Sequence, residues 1–244
     1  MTSSNSSQDE SMPVSAHVRE LRGRLAVAIA VIAAATIASL IFSDEILSWV
    51  QAPLAAVLPQ GSHFVALSPI EGWLVHLKAS VACALFIAAP VWFYELWAFA
   101  APALDRRHRR RIVWAAAASS ALFLAGGLIC YCVMLPHAFR YFVSILDGSG
   151  IVLSPQIGIY LGFTLRALVA FGLIFQVPLF TILLVKWKIV RPASLARARK
   201  YVVVGAFVAA AVITPPDIFT QVALALPLIL LYEAALLAAR LFER

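Results

Sequence analysis

The stretch LAVAIAVIAAATIASLIF, residues 25–42, contains 18 consecutive residues without a charged side chain. A run of this length and composition is typical of a helix that crosses a lipid bilayer. The whole chain of 244 residues has the same character, because 63% of its residues are hydrophobic and 13% are charged. A soluble domain has about a quarter charged residues, so these proportions exclude a water-soluble enzyme. We therefore predict an all-α, polytopic membrane protein.

Five further apolar runs follow the first. They cover residues 73–98, 112–139, 159–185, 202–213 and 218–239. The fifth of the six predicted spans is the shortest, because its 12 residues extend about 18 Å as a helix, against roughly 30 Å for the hydrocarbon core. Pro215, Pro216 and Asp217 follow it and favour a turn. We predict short fifth and sixth spans that form a hairpin, within a single six-helix domain of residues 15–244.

The lysine and arginine residues outside these spans alternate in number along the chain. Successive segments from the N-terminus hold 3, 0, 5, 1, 6, 0 and 2 of them. Cytoplasmic segments of membrane proteins carry the excess of positive charge, so this alternation predicts six spans with both termini in the cytoplasm. A single bent helix over residues 202–239 is the alternative, but it would place Arg240 and Arg244 outside. Residues 1–14 are rich in Ser, Asn and Gln and predict a disordered polar tail.

Polar residues in or beside the spans are energetically costly and are therefore candidates for function. Gln176 lies deep in the fourth span, where it either forms an interhelical hydrogen bond or makes a polar contact with a client or partner helix. Glu95 lies near the inner end of the second span and is expected to pair with an arginine of a loop. Glu20 lies among three arginines, and it either pairs with them or receives an arginine from a partner.

The chain lacks the sequence motifs of hydrolases, metalloproteases and nucleotide-binding proteins. Its five histidines are scattered, so we expect no metal site, no cofactor and no catalytic activity. The basic run at residues 106–111 is expected to face the headgroups of anionic membrane lipids rather than nucleic acid. Binding or transport remains as the class of function.

Four stretches of the sequence form a specific set of motifs. They are HVRELRGR at 17–24; AP at 89–90 with WAFAAPAL at 97–104; FG at 171–172 with FQVP at 175–178; and RKY at 199–201 with TPPD at 214–217, TQ at 220–221, Pro227 and LYE at 231–233. With these motifs the chain resembles the TatC family, the multi-spanning subunit of the twin-arginine protein translocase.

This resemblance implies a receptor for signal peptides that carry paired arginines. It also implies single-span partner subunits, a homo- or hetero-oligomeric complex, and a location in the plasma (inner) membrane. In such a complex, folded proteins cross the membrane at the expense of the proton-motive force. Thr214 and Gln221, which flank the outer turn between the last two spans, are implied to contact the transmembrane helix of a partner.

The resemblance also implies roles for residues at the cytoplasmic face. Glu20 would be one of two carboxylates that receive the signal arginines, and Phe99 matches a family position in the first cytoplasmic loop. The second carboxylate of the family falls where this sequence has His108. Either Asp105 replaces it or the recognition of paired arginines is weakened or altered. Gln176 occupies a position that is often glutamate in the family.

Two other functions remain open from the residues themselves. A solute or ion transporter would use Gln176, Glu95 and Arg166 along an inner pathway, but transporters usually have repeated halves and none is visible in this sequence. A scaffold that gathers partner helices without binding signals is favoured by the imidazole at His108.

Overall fold

The computed structural model describes residues 14–59, 61–100, 109–146, 153–187, 189–213 and 218–241. In these ranges the chain forms ten α-helices and one π-helical turn, and the predicted all-α fold is confirmed there. The elements are α1 (Val14–Ile41), α2 (Ser43–Ala55), α3 (Pro69–Ile87), α4 (Ala89–Ala100), α5 (Arg109–Ile129), the π-helical turn (Cys130–Met134), α6 (Leu135–Leu146), α7 (Ile157–Ile174), α8 (Val177–Lys186), α9 (Pro192–Ile213) and α10 (Ile218–Leu241). Apart from Val14, the predicted polar tail lies outside the described residues.

Within the described ranges, five helical stretches are long and apolar enough to cross a membrane. They are Val18–Ile41, Pro69–Ile87, Ile112–Leu146, Ile157–Lys186 and Ile218–Ala239. Each coincides with one of the predicted spans. The fifth predicted span belongs to α9, which is not among the five because the three cations Arg197, Arg199 and Lys200 lie inside this helix.

The structure corrects the predicted lengths of the last two spans. α9 has 22 residues and α10 has 24, so α9 alone extends about 33 Å and neither helix is short. The apolar run of residues 202–213 forms only the second half of α9, because the helix begins ten residues earlier, at Pro192. The two helices pack side by side and antiparallel, with Gln221 bonded to Phe207 near one end and Glu233 bonded to Arg199 near the other.

Prolines explain where three of the long spans are interrupted. A proline has no N–H to donate and its ring crowds the carbonyl four residues earlier. Pro90 follows the break between α3 and α4, and Pro178 follows the break between α7 and α8. Pro136 follows the π-helical turn that joins α5 to α6, as expected where the regular hydrogen-bond ladder is disturbed.

The segment between the first two predicted spans contains a helix rather than an open loop. This helix, α2, includes the buried Pro53. Hydrogen bonds from Tyr131 to the Trp49 carbonyl (2.7 Å) and from Tyr160 to the Val50 carbonyl (2.6 Å) hold α2 against the bundle. We call this side the Glu71 end, after the carboxylate at the start of α3.

The opposite side is named the Glu20 end. Here the N-terminal part of α1 lies beside the C-terminal part of α4, and Trp97 of α4 contacts Trp187 after α8 with ring centroids 6.1 Å apart. In the middle of the bundle α5 crosses α7 closely at Gly126 and Gly172, around the fully buried Phe123. Small residues permit this approach of two backbones, as they do in other membrane helices.

Candidate functional site

A cluster of three charged side chains joins α1 to α4 at the Glu20 end. Arg24 donates from Nε and Nη2 to Oε1 of Glu20, at 3.1 and 2.8 Å. The Nη1 atom of the same guanidinium donates to Oε2 of Glu95 at 3.1 Å. The expectation that Glu95 pairs with an arginine is therefore met, although the arginine belongs to α1 rather than to a loop.

Helix geometry explains how these residues come together. Glu20 and Arg24 are four positions apart, which places them on one face of α1, and α1 packs along α4. The cluster holds two carboxylates and one guanidinium, so it carries one net negative charge. The side chains of Arg24, Glu20 and Glu95 are 29%, 28% and 16% exposed, so the cluster is partly buried.

An apolar groove of about 360 Å³ runs beside this cluster. Arg24 and Glu95 line it and are its charged members, whereas Glu20 does not line it. The other residues of the lining are Leu21, Leu25, Ala28, Ile29, Ile32, Leu85, Trp92, Leu96, Phe99, Phe123, Val169 and Leu173. The structure thus places Phe99 in the same groove as the charged cluster.

A second hollow of about 410 Å³ lies next to the groove. The two share Trp92, Leu96 and Leu173, so they form one continuous apolar face. Gln176 lines the second hollow. The apolar face therefore extends from the charged cluster at the Glu20 end to the amide of Gln176 deep in the bundle.

Gln176 lies at the break between α7 and α8, and only 4% of it is exposed. Its Nε2 atom donates to the Ser119 carbonyl of α5 at 2.8 Å, which is one of the two alternatives left open by the sequence. Its Oε1 atom is buried and accepts no hydrogen bond from the described residues. A buried acceptor without a donor is energetically unfavourable.

The remaining predicted site residues are distributed differently. Gln221 donates from Nε2 to the Phe207 carbonyl at 3.1 Å, within the α9–α10 pair. Asp105, His108 and Thr214 lie outside the described residues. Glu20 and Phe99 both lie at the Glu20 end. Gln176 lies deeper in the bundle, where it lines the second hollow of the same apolar face.

Two functional candidates in the structure, Arg24 and Glu71, were not predicted from the sequence. In the sequence, Arg24 is one of three arginines near Glu20. Its position four residues after Glu20 is a visible signal for an ion pair on one helix face. Glu71, at the far end, accepts from Leu67 N (2.7 Å), Gln156 Nε2 (2.8 Å) and Gly158 N (2.9 Å). The only sequence signal for Glu71 is its position three residues after Ser68, a pattern typical of a helix start.

The geometry gives little support to an inner pathway for solutes. Arg166 is exposed and donates from Nε to the Gly162 carbonyl at 2.8 Å, and it lines neither of the two hollows. Among the described residues, no group of three His, Cys, Asp or Glu side chains could hold a metal ion. What the site offers is carboxylate oxygens beside an extended apolar surface.

Comparisons with known proteins identify the family to which this chain belongs. The sequence model of the family described as "Sec-independent protein translocase protein (TatC)" matches residues 16–227. The TatC protein of Azotobacter chroococcum is 40% identical over 92% of this chain and 88% of its own length. That of Escherichia coli K12 is 36% identical over 97% and 91%. A crystal structure of the twin-arginine translocase receptor TatC superimposes with a TM-score of 0.84 at 34% identity, covering 93% of this chain and all of the other. The predicted family is thereby confirmed, and the chain belongs to the TatC family of protein translocase subunits.

Proposed function

We propose that this protein is the signal-peptide-binding subunit of a twin-arginine translocase. In this role it binds the paired arginines of export signals at the Glu20 end, which faces the cytoplasm. The observation that carries the proposal is the position of the Glu20–Arg24–Glu95 cluster at the edge of a continuous apolar face. A signal peptide that combines guanidinium groups with an apolar stretch is complementary to both features.

The charged cluster supports the binding of guanidinium groups. The two carboxylates already hold one guanidinium, that of Arg24, at 2.8 to 3.1 Å. A planar guanidinium can donate two parallel hydrogen bonds to a carboxylate, which the ammonium group of a lysine cannot. Hydrogen bonds to charged groups contribute about 1.5–3 kcal/mol where they are desolvated. A preference for arginine over lysine follows from this geometry.

The apolar face supports the binding of the rest of the signal. Its two hollows of about 360 and 410 Å³ are lined mainly by aliphatic and aromatic side chains. Phe99 would contact the signal near its arginines, and Gln176 would lie farther along the apolar stretch.

The arrangement in the membrane is part of the proposal. α4 and α8 end at the Glu20 end, and the two stretches of sequence that begin there, residues 99–111 and 186–201, are the most basic of the chain. This supports a cytoplasmic position for that end and for both termini. α9 would cross the plasma (inner) membrane as the fifth of six spans, and α10 would be the sixth. Thr214 and Gln221 would contact the transmembrane helix of a single-span partner, and the assembled oligomer would use the proton-motive force to export folded proteins.

Export of a folded reporter tests this function. Cells that lack their own TatC subunit would receive this chain together with single-span partner subunits. The reporter would carry either an arginine-pair or a lysine-pair signal. We expect export of the arginine-pair reporter, its loss when the proton-motive force is dissipated, and little export of the lysine-pair reporter. Equal export of both reporters, or of neither, would refute the proposed receptor role.

A further inference from the structure

The ion-pair cluster contains an arginine of the protein itself in the position proposed for an arginine of the signal. Arg24 bridges two carboxylates that come from different helices, Glu20 of α1 and Glu95 of α4. The two carboxylates are thus separated by the width of one guanidinium. The sequence also lacks a carboxylate at the loop position of His108.

We propose that Glu95 is the second carboxylate that receives the paired arginines, and that Arg24 is an internal ligand which the signal displaces. This inference rests on the proposed function and specifies the binding site within it. Glu95 is suited to the role because it lines the apolar groove, whereas Glu20 does not. A signal bound in the groove would therefore contact Glu95 directly.

The charge balance explains why the signal needs two arginines. With Arg24 in place, the cluster has one net negative charge and attracts one incoming cation. With Arg24 displaced, two carboxylates face the signal, and two guanidinium groups neutralise both. A signal with a single arginine would leave one carboxylate unpaired after displacing Arg24. The internal ligand therefore acts against weakly matched signals, which is one way that a protein achieves specificity.

Displacement of Arg24 is feasible because of its position and length. Its side chain is 29% exposed, and a long arginine side chain can turn towards the membrane surface while its aliphatic part stays on the helix. While Arg24 occupies the carboxylates, only a fraction of the protein is free to bind. The apparent affinity for a signal is reduced by that fraction.

Binding measurements on single and double variants test the inference. Full-length protein in lipid nanodiscs would be titrated with a labelled synthetic peptide that carries two arginines and an apolar stretch, and with its two-lysine variant. We expect Arg24→Gln to tighten binding of the arginine peptide about three- to tenfold. In that variant background, Glu95→Gln should then weaken binding about tenfold and reduce the preference for arginine over lysine.

The double variant separates the two possible roles of Glu95. If Glu95 only holds Arg24, adding Glu95→Gln to Arg24→Gln will change nothing, and the inference is wrong even though Glu20→Gln still weakens binding. If Asp105→Asn causes the loss instead, Asp105 is the second carboxylate and the inference is also wrong. If neither Glu20→Gln nor Glu95→Gln affects binding, the proposed function fails as well.

Two further variants, Glu233→Gln and Arg24→Lys, serve as controls for the binding measurements. Glu233→Gln removes a carboxylate from another arginine pair at the same end, and it should leave peptide binding unchanged. Arg24→Lys keeps the charge but loses the planar fork that bridges two carboxylates. It should tighten binding in the same direction as Arg24→Gln but by less, and it provides the test if Arg24→Gln does not fold. Weaker binding of the arginine peptide to folded Arg24→Lys would contradict the inference.

Discussion

Gln176 donates a hydrogen bond from Nε2 to the backbone carbonyl of Ser119, at 2.8 Å. Ser119 is itself fully buried, and its hydroxyl accepts a hydrogen bond from the indole of Trp97 at 2.8 Å. One residue of α5 therefore connects α4 with the break between α7 and α8. The helices that border the apolar face are held in register by these two bonds.

The first prediction concerns the energy of the Gln176 bond. Gln176→Leu removes the hydrogen bond but also removes the unpaired Oε1, and these effects partly cancel. Interhelical hydrogen bonds in membrane proteins contribute about 0.6 kcal/mol on average. We expect the free energy of unfolding to fall by about 1 kcal/mol or less in a detergent unfolding titration. Ser119→Ala is the comparison variant, because it keeps the backbone carbonyl that Gln176 contacts. If the free energy of unfolding fell by more than about 3 kcal/mol in Gln176→Leu, the hydrogen bond would contribute more than this prediction allows.

The second prediction concerns the crossing of α5 and α7. A Cβ atom on Gly126 would lie 2.6 Å from the Phe171 carbonyl oxygen and 3.0 Å from the Gly172 Cα. Since both are backbone atoms, they cannot move aside, and Gly126→Ala should lower stability by about 1–3 kcal/mol. Gly205→Ala in α9 is the matched control, because nothing lies within 4 Å of its added Cβ. Equal thermal transitions for the two variants would show that the helices are not in close contact.

The third prediction concerns Glu71 at the opposite end. Glu71 connects the segment before α3 to the start of α7 by three hydrogen bonds. Glu71→Ala should therefore speed amide hydrogen exchange at Leu67 and Gly158, while exchange in α5 stays unchanged. The exposed Glu45 of α2 serves as a control, since Glu45→Ala should leave both amides as they are. Unchanged exchange in Glu71→Ala would exclude this connection.

The fourth prediction concerns the pair formed by Arg199 and Glu233 at 2.7 Å. Despite the short distance, the side chains are 45% and 38% exposed. Exposed pairs usually contribute about 0.2–1 kcal/mol. A double-mutant cycle with Arg199→Gln and Glu233→Gln should give a coupling energy in that range. A coupling above about 2 kcal/mol would mean that the pair is buried in the membrane-embedded protein.

The helices could be predicted from the sequence because a helix that crosses a bilayer needs about 20 consecutive, mainly apolar residues. Apolar runs long enough to cross it are visible without any knowledge of packing. Five of the six predicted spans overlap with described helical stretches that are long and apolar enough to cross a membrane. The length of α9 could not be predicted in this way. Its first half contains Arg197, Arg199 and Lys200 and lies beyond the apolar run. Tyr232 and Glu233 of α10 bond to this half of the helix.

The candidate site was only partly predictable. Glu20 and Gln176 were predicted as candidate site residues because they are polar and lie in or beside apolar spans. Glu95 was expected to pair with an arginine. Which arginine it pairs with depends on the packing of α1 against α4, and helix packing is not encoded in any local pattern. The groove itself is a gap between several helices, so no single stretch of sequence reveals it.

The role of Glu20 in recognising export signals can be tested by one measurement. It is the dissociation constant of an arginine-pair signal peptide for Glu20→Gln compared with the unmodified protein in nanodiscs, with Glu45→Gln as the control. We predict binding about tenfold weaker for Glu20→Gln and unchanged for Glu45→Gln. Equal dissociation constants for Glu20→Gln and the unmodified protein would contradict the proposed site.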